Sequence, residues 1–157
     1  MKTQYVITAT LGILLVVFGQ ANADEKELSQ NQVPKAVMDA FDKTYPKAKG
    51  VKYEEEIFEG KTAYEVGYKK HGKQFELSYS ADGTLLQKEE EIDVKALPHP
   101  VVQAIMKAYP KAMIEEAEKV MKPDGTVTGY EADIKVAGKE IELELDVRGN
   151  ILKTKKK

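Results

Sequence analysis

The chain has 157 residues, no cysteine, and a nearly balanced 24 basic and 26 acidic side chains. The lack of thiols excludes disulfides, thiolate chemistry and lipid attachment at a cysteine, so the folded state must be held by burial alone. Net charge is -2 with Lys and Glu interspersed along the chain, which argues against nucleic acid as the partner.

Lys2, an apolar run from Val6 to Phe18, and Ala21-Asn22-Ala23 ahead of Asp24 have the layout of a secretory signal peptide. The apolar run falls short of the roughly 20 residues that span a bilayer as a helix. Residues 1–23 are therefore expected to be a signal peptide, with the mature protein periplasmic or secreted and free of membrane segments. Residues 24–32 are polar and are expected to form a loose leader.

Residues 33–92 form a first unit. Pro34 suits the first turn of a helix, where a missing N–H costs nothing, and Val33, Val37, Phe41 and Tyr45 form a stripe at four-residue spacing that stops before Pro46. Val51 to Phe58 is a candidate first strand. Tyr64, Val66 and Tyr68 then alternate with polar residues, as do Phe75, Leu77 and Tyr79. A two-residue loop at His71-Gly72 sets Tyr68 opposite Phe75, Val66 opposite Leu77 and Tyr64 opposite Tyr79, all on one side of the sheet. A turn at Asp82-Gly83 starts a strand expected to bring Leu86 opposite Tyr79.

After a connector at 93–96, residues 97–157 repeat this pattern. Leu97-Pro98, Val101, Ile105 and Tyr109-Pro110-Lys111-Ala112 restate the helix, and Ile114 to Met121 the first strand. With Ala137-Gly138 as the hairpin loop, Ile134 faces Ile141, Ala132 faces Leu143 and Tyr130 faces Leu145. Arg148-Gly149 matches the second turn and is expected to bring Leu152 opposite Leu145. The fold class expected is α+β, two tandem units of one helix and a four-stranded antiparallel sheet each, meeting edge to edge or sharing a core.

Each helix covers one sheet face and leaves the other uncovered. On that open face the derived register opposes Asp133 to Glu142 and Glu131 to Glu144, and like charges directly across a sheet are unfavourable. A cationic partner or a calcium ion would compensate them. So would lysines within the chain: Lys153 beside Glu144, Lys155 beside Glu142 and Lys135 facing Glu140, the bland alternative of solvated, locally paired charge. Glu54-Glu55-Glu56 and Glu89-Glu90-Glu91 lack the spacing of an EF-hand loop and are expected to be solvated strand faces. His71 and His99 lie on different units with no metal-ligand spacing. The sequence holds no G-x-S-x-G elbow, P-loop or dinucleotide-binding fingerprint. Glu65 and Glu76 are paired carboxylates, but nothing in the sequence suggests a pocket around them. No catalytic residue, metal ligand or cofactor is assigned.

Val33-Pro34, Phe41, Tyr45-Pro46-Lys47-Ala48, Tyr64-Glu65-Val66, Gly72-Lys73 with Glu76, and Asp82-Gly83-Thr84-Leu85-Leu86, returning as Leu97-Pro98, Tyr109-Pro110-Lys111-Ala112, Tyr130-Glu131-Ala132, Gly138-Lys139 and Arg148-Gly149-Asn150-Ile151-Leu152, resemble the PepSY-like domain family, also called β-lactamase-inhibitor-like. The resemblance implies an exported bacterial protein with the tandem architecture of β-lactamase inhibitor proteins, and a family association with restraint of extracytoplasmic peptidases. The chain departs from the secreted inhibitors in having no cysteine, no Trp and one arginine, Arg148. The function expected is a non-enzymatic binding module that acts on a protein or peptide by surface occlusion, with calcium or small-ligand binding as the alternative. Its candidate contacts are Lys69, Glu76, Glu131, Asp133, Glu142 and Glu144.

Overall fold

The computed structural model describes residues 25–157. The expected signal peptide and its Ala21-Asn22-Ala23 site lie outside the described residues. Both helices form where the stripes predict: α1 spans Lys35–Thr44 and α2 spans His99–Ala108. Val37 and Phe41, and Val101 and Ile105, are fully buried. Each helix ends on a tyrosine whose N–H donates to the fourth residue back, Tyr45 to Phe41 and Tyr109 to Ile105, both at 2.8 Å. The proline after each tyrosine cannot extend the ladder.

Nine strands run along the chain in order: β1 Glu25–Leu28, β2 Lys49–Phe58, β3 Lys61–Lys70, β4 Lys73–Tyr79, β5 Leu85–Glu91, β6 Met113–Met121, β7 Val127–Val136, β8 Lys139–Asp146 and β9 Ile151–Lys156. Each pairs antiparallel with the next. The two hairpin registers are those derived from alternation, with Tyr68 opposite Phe75 and Ile134 opposite Ile141. His71-Gly72 and Ala137-Gly138 both have positive φ at both loop positions, the geometry whose twist matches the flanking strands.

The strands do not form two four-stranded sheets. β5 pairs with β6, Lys88 opposite Met121 through Glu91 opposite Glu118, and this ladder fuses the units into one nine-stranded sheet. An unpaired edge on each unit would leave a row of N–H and C=O groups open, and joining the edges satisfies them. The leader also differs from expectation. Glu25–Leu28 pairs with β2, Leu28 enters the core, and Gln30–Gln32 forms a 3-10 turn. With a single apolar residue, this strand had no alternation to read.

The last strand of each unit carries a second difference. Irregularities at Ser78/Tyr79 and Glu144/Leu145 put Leu85 opposite Tyr79 and Ile151 opposite Leu145, so Leu86 and Leu152 lose the places alternation assigned them. An extra residue in one strand produces this shift and re-aims the side chains beyond it.

Both helices lie on the same sheet face, each over its own core. The first gathers Val37, Phe41, Val66, Tyr68, Leu77 and Tyr79, and the second Val101, Ile105, Ile134, Leu143 and Leu145. Gly83 and Gly149 pin the helices to the sheet by one device. A Cβ on either would stand 2.5 Å from a carbonyl oxygen in the first turn of the helix, that of Ala36 or Pro100. Their φ angles, +84° and +87°, also favour glycine.

Candidate functional site

The face opposite the helices is concave, and one groove of about 890 Å³ runs over it from β2 to β9. Alternation aims the side chains: the residues between the core positions of each strand point into the groove. From β3 to β8 these are mostly acidic, namely Glu65, Glu76, Glu89, Glu118, Glu131 and Glu142. β9 and the residue after it contribute the opposite charge through Lys153, Lys155 and Lys157.

The centre and the β9 end are electrostatically different. At the β9 end, Lys155 Nζ lies 2.8 Å from Glu142 Oε1, and Lys157 Nζ lies 2.6 Å from Asp133 Oδ2 and 3.4 Å from Glu142 Oε2. Burial alone would push the Glu142 carboxyl up, but these two lysines hold it below the usual carboxylate range. Lys153 pairs with Glu144 at 3.6 Å and Lys135 with Glu140 at 3.5 Å. The pairings read from the sequence are thus present.

At the centre burial and neighbouring acids raise the carboxyls. Burial, then the charges of Glu76 and Glu131, pushes Glu118 up to about 8. Burial raises Glu89 well above its ordinary value, aided by Glu118 and Glu76, and does the same for Glu65, aided first by Glu76. Glu131 is raised by burial and then by Glu89 and Glu142. Glu89 is only 6% exposed, and its Oε1 accepts from Gln87 Nε2 at 2.7 Å. Glu89 and Glu118 bring carboxylate oxygens within 4.8 Å of each other.

All six residues singled out from the sequence, Lys69, Glu76, Glu131, Asp133, Glu142 and Glu144, line this groove. Glu89 and Glu118 were missed, because their strands come from different units and meet only through β5 and β6. Glu89-Glu90-Glu91 is not a uniformly solvated face: Glu89 is buried, and the backbone N–H of Gln74 donates to Glu91 Oε2 at 2.8 Å. Glu65 and Glu76, read from the sequence without a pocket around them, do share one.

Residues 20–87 and again 86–153 match the protein family described as "Putative beta-lactamase-inhibitor-like, PepSY-like". The chain belongs to this family. Solved structures agree on the fold. A BLIP-like protein of Bacteroides fragilis is similar at 23% identity over 79% of this chain and 86% of its own, with a TM-score of 0.52. A protein of Bacteroides eggerthii, named as a "putative periplasmic" protein, is similar at 16% identity over 79% and 88% of the two chains, with a TM-score of 0.60. A DUF2874 family protein of Bacteroides uniformis reaches 0.58 at 16% identity over 79% and 89%. No curated protein matches the chain. Among the described residues, no helix is long and apolar enough to cross a membrane.

Proposed function

We propose that this PepSY-like protein is an exported, non-enzymatic binding module that occludes a surface of a protein or peptide partner within its acidic groove. The observation that supports this best is the groove itself. It is one continuous concave face created by fusing two repeats, and its central carboxyls are buried against one another, which costs free energy unless a partner compensates it. Export is supported by the signal-like residues 1–23 and by the name of the Bacteroides eggerthii relative. Inhibitor-like action is supported by the family and by the Bacteroides fragilis fold relative. Lys69 and Glu76 of the first repeat and Glu131, Asp133, Glu142 and Glu144 of the second are the proposed contacts. The test compares affinity capture from cell-envelope extract by the mature chain and by a variant carrying Glu131→Gln, Asp133→Asn, Glu142→Gln and Glu144→Gln. A protein retained by the first and lost by the second supports the reading. Identical capture by both would remove this face from it.

One observation favours calcium as a second reading. Glu76, Glu89 and Glu118 each offer a carboxylate oxygen within 4.8 Å of the other two, as do Glu131, Glu142 and Glu144. Calcium–oxygen bonds of about 2.3–2.6 Å would fit inside either triangle. Lys155 already pairs with Glu142 in the second trio, so the first is the better candidate. A ligand specific to the folded state raises Tm by mass action; an unchanged Tm in millimolar calcium would end this reading.

A further inference from the structure

We propose that the groove receives an extended segment of its partner that carries lysine or arginine at alternate positions, with its cationic side chains over the carboxyls of β4 to β7. This rests on the groove being the partner surface.

The chain itself supplies the template. Lys153 and Lys155 of β9, and Lys157 just beyond its end, face the groove floor at every second position, and each meets a carboxylate of β7 or β8. Alternate residues of a strand lie about 6.6–6.8 Å apart and neighbouring strands about 4.8 Å apart, so flexible lysines on an extended segment reach acids on successive strands. β9 neutralises only its own end of the groove. The floor continues through Glu131 of β7, Glu118 of β6, Glu89 of β5 and Glu76 of β4, where burial and the other carboxyls dominate the environment.

Charge complementarity therefore selects a cation for that stretch, and the length of the floor selects several cations in one chain over a single ion. The ends of the groove add apolar surface: Ile57 is 52% exposed and Leu152 67% exposed, and both line it. The segment accordingly has apolar residues flanking its basic ones. A cation arriving beside Glu118, raised to about 8, favours its ionised form, so seating the segment near neutral pH expels a proton into solution.

The experiment is isothermal titration of the full mature chain with an end-blocked peptide of alternating Lys and Thr, patterned on Lys153-Thr154-Lys155, in two buffers of different ionisation enthalpy. Saturable binding is expected, about tenfold weaker when salt rises from roughly 50 to 300 mM, and with an apparent enthalpy that differs between buffers because protons are released. A Glu76→Gln, Glu118→Gln variant should bind about tenfold more weakly. Both carboxamides are close in shape to the carboxyls they replace, and circular dichroism confirms folding. The alternating Glu and Thr peptide should not bind. No binding of the lysine peptide at millimolar concentration, or equal affinity for the variant, overturns the proposal. If partner capture still depends on the groove acids, the occluding surface survives and only the cationic segment is lost; if capture is indifferent to them as well, both fall.

Discussion

Lys155 on the last strand stands 2.8 Å from Glu142 on the neighbouring one, and this contact divides the groove. Glu142 is held ionised by Lys155 and Lys157, while Glu131, one strand further in, is pushed up by burial and by Glu89 and Glu142. Lys155 also reaches Glu144 at 3.8 Å. A single lysine ladder thus separates a paired end from a centre whose carboxyls are raised by burial.

Lys155→Met should cost about 1–2 kcal/mol in denaturant unfolding, since it removes the shorter of the two lysine contacts of the part-buried Glu142. Lys155→Met combined with Glu142→Gln should recover part of that loss. A double-mutant cycle with no coupling would show that the pair is only a surface contact.

Stability should fall on the alkaline side. The carboxyls of Glu65, Glu89, Glu118 and Glu131 are raised in the folded protein, so the unfolded chain binds fewer protons than the native one above the ordinary carboxylate value. Their contribution is fully present below that value and is lost as pH climbs through the folded values, about 8 for Glu118. Glu118 faces Glu89 and Glu91 from β5, Glu131 and Asp133 from β7, and Glu76 beyond, so acids surround it on each side. Glu90 and Glu142, both held low, act in the opposite sense and lose their contribution as pH falls below the ordinary carboxylate range. A Tm profile should therefore peak near about pH 5 and drop by roughly 4–8 °C towards pH 9, equivalent to about 2 kcal/mol for a chain of this size. Glu118→Gln should flatten the alkaline limb; an identical profile in that variant would contradict the raised Glu118 carboxyl.

Gly83→Ala and Gly149→Ala should each destabilise by about 2 kcal/mol or more, combining a left-handed backbone with a clash against the first helical turn. Gly125→Ala, also at positive φ but with nothing within 4 Å of the added carbon, should cost only about 1 kcal/mol. Equal losses at all three sites would mean that the helix contact contributes nothing.

Glu90 bridges the repeats on the helix side, with Lys73 of β4 at 3.0 Å and Lys119 of β6 at 3.1 Å. Both pairs are partly exposed, so Glu90→Gln should cost no more than about 1 kcal/mol. A single cooperative transition should persist in that variant, because the β5–β6 backbone ladder remains.

Much of the fold was legible because the two copies check each other. Tyr68 with Phe75 and Ile134 with Ile141 place the same hairpin twice, and period-two alternation leaves one register that buries both sets. The Lys153 and Lys155 partners came from that register. The groove's centre was hidden for a different reason. Glu89 and Glu118 belong to separate repeats, and only the β5–β6 pairing, a backbone event with no apolar signature, brings them together. Leu86 and Leu152 were misplaced by bulges, which depend on the backbone geometry of a turn and not on side-chain pattern.

A partner seated in the groove is tested most directly by site-specific photocrosslinking in the cell envelope. The photoreactive residue is placed either at Lys69, which lines the groove, or at Lys43, exposed on α1 on the opposite side of the sheet. A crosslinked adduct of one defined mass from position 69 and none from position 43 is the result expected. The same adduct from position 43 alone would place the partner on the helices and contradict a groove-bound partner.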